Sequence, residues 1–492
     1  MHDVRDEKET VSPKPLASII ECPNEEDNTV DLIDEFVKIV SRYIDAPPEF
    51  IEAGGYAVVS SLLGPYYRTT WIPNVGRPNL WMILSSIPGR CRRSTIQSLV
   101  EFVYRKVMEE LLEEDPEISL KTKPNEETQE EESDEEKKPV SIGDLIEDTI
   151  IEEGSPEGII DHIESSTSDV YHVFSTEFGS VLAKMYQDGY EQGTGVLLSK
   201  LVYGEGGSVY LSKRGGKSGK RTLRPGLHVD AFSGMQEPWL YITETSIRQG
   251  LIRRMLIIYI QTNYLWKPPI NEDRPSLYQE LAKFAYEFVL GRVRRAIDAA
   301  KENEKLKGSG YWDSNVKFVE IWVHPSVEKV INDYDKKITL ELDKNPSLKN
   351  QARQSYWEHL AKLSMCREIA RSEICKDEKG ISFIVVQPLS YNRAASFLNR
   401  VDASSEYFGK IGEKKTEAAN SSTPLDRLYD IILNSVPNGI AKSKILLKTK
   451  WTASELKEYA ETLQQSGLIT ESVVHTKGRS SLVYKVTEEP NK

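Results

Sequence analysis

From Val30 to Leu63 the apolar residues fall at helical spacing, in "VDLIDEFVKIVSRYI" and again in "PPEFIEAGGYAVVSSLL", which predicts helices there. The pattern then changes. Leu80 to Leu84 is an unbroken apolar run, as in a buried strand; a Pro88-Gly89 turn follows, and Ser94 to Leu112 returns to helical periodicity. "SPEGIIDHI" (Ser155 to Ile163) predicts a short serine-capped helix, and "DVYHVFSTEFG" (Asp169 to Gly179) a strand ending in polar residues. "GSVYLSKRGGKSGKRTLRPGLHVDAFSG" reads as two β-rich segments around a Gly-Lys-Arg tip, then a buried strand. Helices are predicted over Ser276 to Lys305, Pro325 to Leu342 and Asn350 to Ile374, with "KFVEIWVH" as a strand between the first two. Strands alternating with helices indicate an α/β core.

Beyond a polar stretch at 409–423, Pro424 to Lys485 shows three helical segments and the hairpin "LITESVVHTKGRSSLVYKV", turning at Lys477-Gly478. That is the pattern of a winged helix-turn-helix. The expected organisation is a disordered N-terminus (1–28), an α/β core (29–272) and a helical lid region (273–408). A linker (409–423) and a winged helix (424–488) complete it. No internal repeat is visible.

Composition narrows the classes. Of the 492 residues, 39% are hydrophobic and 28% charged, as in a soluble protein. No apolar run approaches the roughly 20 residues that span a bilayer, and the charged start "MHDVRDEKETVSPKP" lacks the core of an export signal. Cys22, Cys91, Cys366 and Cys375 form no C-x-x-C pair, which fits a reducing cytoplasm and gives no zinc or disulfide framework. Net charge is −13, but Glu113 to Glu136 alone carries 12 acids against Lys121 and Lys123, leaving −3 for the rest. This tract reads as a solvated insertion at about 113–140 or as a partner-binding segment. Basic patches elsewhere remain free to decide binding.

Candidate chemistry begins at "NLWMILSSIPGRCRRSTIQSL". Strand, glycine-bearing turn and helix is the layout of a loop that cradles phosphate with backbone N–H groups and a helix N-terminus. In the best register Ser86 and Cys91 stand where glycines belong, and Arg92 or Arg93 where the lysine belongs. Pro88, Gly89, Arg92, Arg93, Ser94 and Thr95 are the candidate phosphate contacts, and Arg93-Ser94 offers a cation followed by a hydroxyl for a metal. Hydrolysis also needs carboxylates at the end of a buried strand, one for Mg²⁺ and one to orient water. "YHVFSTEF" supplies Glu177 but has Thr176 at the metal position. In "LSKRGGKSGKR", five cations (Lys213, Arg214, Lys217, Lys220, Arg221) stand among glycines with no acid between them, suited either to a phosphodiester backbone or to a plain exposed loop. Lys477 and Arg479 offer two more cations at the wing tip. The presumed recognition helix, Thr452 to Gln465, carries Glu455, Glu458 and Glu461 against Lys457, which is poor for major-groove docking. Backbone contact by the wing and docking of a protein partner both stay open.

The course "VYLSKRG", a variable turn, "LRPGLHVDAFSG" and "GLIRRMLIIYI" resembles that of minichromosome-maintenance (MCM) replicative helicases, which are AAA+ ATPases. With "PNLWMIL" before the loop and "SPEGII" before the acidic strand, it is also similar to helicase-like AAA+ proteins of archaeal and bacterial mobile genetic elements. The likeness runs from about Val30 to Ile374 and lies in the order of its motifs. It implies an AAA+ P-loop core with a helical lid, binding ATP and Mg²⁺, beside the winged helix. Lys213 matches the hairpin lysine that grips DNA, Ser233 the sensor 1 position, Arg254 the arginine offered to a neighbouring subunit, and Arg353 the sensor 2 arginine of the lid. The family implies a ring, usually a hexamer. The expected function is a DNA-binding motor or replication initiator with weak or divergent hydrolysis. A replication protein could dock through the winged helix or the acidic insertion. The alternatives are a catalytically silent AAA+ scaffold and a winged-helix DNA-binding regulator.

Overall fold

The computed structural model describes residues 30–69, 76–87, 91–114, 141–152, 156–166, 168–185, 200–202, 207–211, 219–223, 226–242, 246–247, 250–260, 273–306, 318–403, 428–429, 431–432, 435, 439–449, 451–465, 468–476 and 479–486. Two units separate after Gly409. The first begins with α1 (Leu32–Tyr43), α2 (Pro48–Leu62), β1 (Tyr67–Arg68), β2 (Trp81–Ser86), α3 (Arg93–Glu114), α4 (Ile142–Glu147), β3 (Ile150–Ile151), α5 (Pro156–Ser165), β4 (Val170–Val173) and α6 (Phe178–Met185). The hairpin β5 (Gly207–Leu211) and β6 (Gly219–Leu223) leads into β7 (His228–Met235) and β8 (Leu256–Ile260). After these come α7 (Arg274–Phe284), α8 (Leu290–Lys305), β9 (Val319–Val323), α9 (Pro325–Lys344), α10 (Leu348–Arg353), α11 (Tyr356–Arg371), β10 (Cys375–Lys376), β11 (Ser382–Val386) and α12 (Pro388–Ala403).

Local chemistry sets these boundaries. Asp31 caps α1 by accepting from the Ile33 and Asp34 amides at 2.8 and 3.3 Å. Pro48 opens α2, where its missing N–H costs nothing. β2 is buried at all six positions, as a central strand of a parallel sheet covered on both faces must be. The principal sheet is wholly parallel, in the order β3-β4-β7-β2-β8, with α2, α3 and α6 against β2 and β7. Expected strand and helix thus appear on either side of the loop candidate. The strand expected from Asp169 stops at Val173, and the polar residues after it form a turn into α6.

Residues 273–403 are not helical throughout. Three of their strands join β1 in a second sheet, β1-β9-β11-β10, parallel except at β10–β11. Helix α11 is buried at 14 of its 16 positions, including six that are polar or charged. Its buried polar atoms reach the turn before β8, the segment before β2 and the first two helices. His359 Nε2 donates to the Arg253 carbonyl (3.0 Å), Lys362 Nζ to Asn79 Oδ1 (3.0 Å) and Cys366 Sγ to the Pro78 carbonyl (3.4 Å). Arg367 binds Asp31 (3.1 Å), Asp34 (2.6 Å) and Glu52 (2.7 Å) on the first two helices. Burial alone would disfavour its charge, but these carboxylates outweigh that and raise its pKa.

In the second unit β12 (Ile440–Ala441), α13 (Lys442–Thr449), α14 (Ala453–Gln465), β13 (Ile469–Thr476) and β14 (Arg479–Val486) follow one another. The sheet is antiparallel, ordered β12-β14-β13, and Thr476 pairs with Arg479 across the expected hairpin turn. Leu428, Ile445, Leu456, Leu463 and Tyr484 share its core.

Candidate functional site

Neighbouring strands β2 and β7 send the chain in opposite directions. After β2 it travels to the β3 edge, whereas after β7 it crosses to β8 on the other side. The crevice outside the carboxyl ends of such a pair is where open α/β sheets bind ligands. Ser85 of β2 closes its base by donating to the Gln236 carbonyl at 2.5 Å. Arg92 has a φ of 56°, a left-handed turn that delivers the chain into α3. Arg93, the first residue of that helix, anchors Nη1 on the Met235 carbonyl at the tip of β7.

One helical turn on, Gln97 sends Nε2 to the carbonyls of Ser175 and Phe232, both at 3.0 Å. Gly234 then donates its amide to Ser175 at 2.7 Å. No side chain fits at that position, since a Cβ would lie 2.9 Å from the Thr176 carbonyl oxygen and 3.1 Å from Gln97 Oε1. These bonds tie the first turns of α3, the strand β7 and the turn after β4 together. Thr176 and Glu177 are exposed on the stitched turn. Burial lowers the pKa of Arg93 and the nearby Glu177 carboxylate opposes that shift. Tyr241, just beyond β7, is raised by burial first and by Glu177 second, so the three side chains share one electrostatic neighbourhood.

The other expected residues fall as follows. Pro88 and Gly89 lie outside the described residues, as do Lys213, Arg214, Lys217 and Lys477. Ser94 is exposed and Thr95 half-buried in the first turn of α3. Lys220 and Arg221 are in β6, paired with Tyr210 and Val209 on the hairpin that directly precedes β7. Arg479 opens β14. Ser233 is buried; its hydroxyl donates to the Val173 carbonyl (2.9 Å) and accepts from the Ser175 amide (3.2 Å), which ties β7 to β4. Arg254 lies in the turn before β8, at the opposite end of the sheet from Arg93. Helix α10 packs on that turn, and Gln354 just after it accepts from Arg253. Arg353 is held by both oxygens of Asp402, with Nε to Oδ1 at 2.8 Å.

Gln97 and Tyr241 are what sequence reasoning missed. Gln97 did leave a signal, a polar residue inside the buried stripe of Ile96, Val100 and Tyr104. Tyr241 left none. Its ring fits because Gly179 lacks a side chain at the start of α6.

Magnesium fits these residues poorly. It wants octahedral oxygen ligands with one or two carboxylates beside the phosphates. Thr176 is neutral, and its turn carries one carboxylate, Glu177, whose charge opposes the lowering of the Arg93 pKa by burial. Tyr259 of β8 is raised by burial first and by Glu237, beyond β7, second. Among the described residues no three His, Cys, Asp or Glu side chains group as a metal would need. No helix among them is long and apolar enough to cross a membrane. No protein-family model and no curated protein matches the chain.

Proposed function

We propose that the chain is an AAA+ unit of the MCM-like kind, which binds a nucleoside triphosphate at the crevice outside β2 and β7 and grips the DNA backbone through the β5–β6 hairpin. The observation that carries this reading is the bridge made by Gln97. It brings the cationic start of α3 and the carboxylate turn after β4 to one place, as phosphate chemistry requires. Arg93 offers charge to the phosphates, Glu177 is the group to orient a water, and the start of α3 directs N–H groups at the anion. Arg254 is too far along the sheet to serve its own crevice. β8 runs parallel to β2, so the two ends are separated by a strand length of ~20 Å. An arginine so placed serves another copy, which favours a ring. Turnover is weak, because Thr176 gives no metal anchor and Arg93 is already tied to a carbonyl. The basic hairpin enters β7 at His228, the end of the strand opposite the crevice, so coupling of nucleotide to the DNA contact has to run along the length of β7. The winged-helix reading of the second unit rests on its two helices and antiparallel hairpin.

A second reading, a silent scaffold, is favoured by the same anchoring of Arg93. ATPase rates with and without single-stranded DNA separate the two. A motor gives a DNA-stimulated rate above that of Glu177→Gln; equal rates leave the scaffold; failure to bind nucleotide at all overturns both. For the hairpin, Lys213→Ala with Lys217→Ala lowers DNA affinity and reduces the slope of log affinity against log salt by about 2. An unchanged slope removes the tip from the contact.

A further inference from the structure

The second sheet has one buried and one open face. Tyr67, Val319, Ile321, Ile384 and Val386 belong to the core, and the residues alternating with them stand on the other side. Register places Arg68, Glu320 and Phe383 in one row across β1, β9 and β11, with Trp322 and Val385 in the next. On this open face Trp322 lies on Phe383, with ring centroids 4.0 Å apart and planes 17° from parallel. Its indole Nε1 donates to Glu320 Oε2 at 2.7 Å, which fixes the orientation of the ring. The tryptophan is nonetheless 41% exposed. A pinned, stacked and exposed indole is a surface for another flat ring.

Two arginines border this face. Arg68 is exposed at its β1 edge. Arg77, just before β2, sets its guanidinium 4.6 Å from the ring centre of Phe318, the residue that leads into β9. The Thr69 amide donates to the Gly76 carbonyl at 3.0 Å, which brings the two arginine-bearing segments side by side. Burial first and Arg68 second lower the Arg77 pKa to about 10, and Asp169 opposes this. Neither arginine pairs with a carboxylate among the described residues. Neighbouring guanidiniums without acids to neutralise them suit phosphate. Arg77 also approaches the turn between β6 and β7, where a Cβ on Gly226 would lie 3.9 Å from its Nη2. We propose that this face binds a single nucleic-acid strand, with a base stacked on Trp322 and flanking phosphates on Arg68 and Arg77. The inference rests on the DNA-binding reading above and adds a contact apart from the hairpin tip. A duplex keeps its bases stacked inside, so only an unpaired strand has a base free to lie on the indole.

The test is fluorescence anisotropy of the full-length protein with a labelled single-stranded oligothymidine and with an abasic strand of equal length, each over a range of salt. Trp322→Ala should weaken oligothymidine binding by roughly five- to a hundredfold, the loss of one stacked base, and leave its salt slope unchanged. Trp322→Phe should keep most of the affinity, and the abasic strand should not register Trp322→Ala at all. Arg68→Ala should reduce the slope of log affinity against log salt by about 0.7 on both strands. If Trp322→Ala leaves oligothymidine binding intact, or weakens both strands alike, the inference is overturned and the hairpin contact stands. No binding of either strand by the wild type removes the DNA-binding reading, and the inference with it. Should Trp322→Ala fail to fold, Arg68→Ala decides, and an unchanged slope overturns the inference.

Discussion

Replacing Gly179 by alanine tests whether Tyr241 stands against the first turn of α6. An alanine Cβ there would lie 2.5 Å from Cε2, 2.6 Å from Cδ2 and 2.8 Å from Cζ of the ring. Carbon atoms settle at ~3.5–4.0 Å, so the ring must retreat by roughly 1 Å. Overpacking of that kind costs about 1–3 kcal/mol. With Tyr241→Ala in place the same change becomes an ordinary helical glycine-to-alanine substitution, which stabilises by about 0.5–1 kcal/mol. The sign therefore reverses between the two backgrounds, and the coupling between the sites is roughly 1.5–4 kcal/mol. Urea unfolding of the wild type, both single variants and the double variant measures it. Trp81 meets Phe178 edge-on at 6.4 Å and reports on α6 through its fluorescence. The second unit is common to all four proteins and cancels. Effects that add to within about 0.5 kcal/mol would show that the ring is not there.

Arg367→Met takes the buried cation from Asp31 and Glu52, which keep Arg393 and Arg400 respectively, and should cost about 1.5–3 kcal/mol in urea unfolding; a loss under 1 kcal/mol refutes the ion cluster. Burial holds His228 and His359 down at about 4, below the ordinary histidine range. The folded state therefore binds fewer protons, and stability is full above about pH 6.5 and lost as pH falls through 4. For Asp230, burial would raise the carboxyl, but His172 at 2.6 Å and His228 bring it down to about 2, so its contribution persists until stronger acid. His228→Gln or His359→Gln should each flatten the urea midpoint between pH 6.5 and 4.5, and an unaltered slope in both counts against the assignment. Burial lowers Lys362 to about 8, so keeping it charged opposes folding most below that pH. Lys362→Met is expected to be more favourable at pH 7 than at pH 9 by about 1 kcal/mol, read from unfolding at both pH values.

The elements around the crevice were legible because burial on a parallel sheet leaves a simple trace. Leu80 to Leu84 became β2, and the periodicity from Ser94 to Leu112 became α3, starting one residue earlier at Arg93 and ending two later at Glu114. The interval 273–403 was less legible. β11, "SFIVV", alternates buried and half-buried residues over only five positions and lies between helices, so it has little to distinguish it from helix-flanking loop. At the site, residue types announced the ends of strands and not what joins them. Thr176 and Glu177 could be placed after a strand, but the bonds from Gln97 cross 78 and 135 residues. Arg353 shows the opposite limit. Its place in a lid-like helix suggested a phosphate contact, while the pairing with Asp402 lies 49 residues on.

Helix α11 governs how this protein can be dissected. A polypeptide ending at Glu272 would remove at one stroke the α11 partners of Asp31, Asn79, the Pro78 carbonyl and the Arg253 carbonyl. Truncation there would yield a sticky, partly folded fragment, and any nucleotide assay run on it would report collapse. A shortened version that keeps its crevice has to extend through Ala403, and protease trimming of the intact protein should respect the same limit.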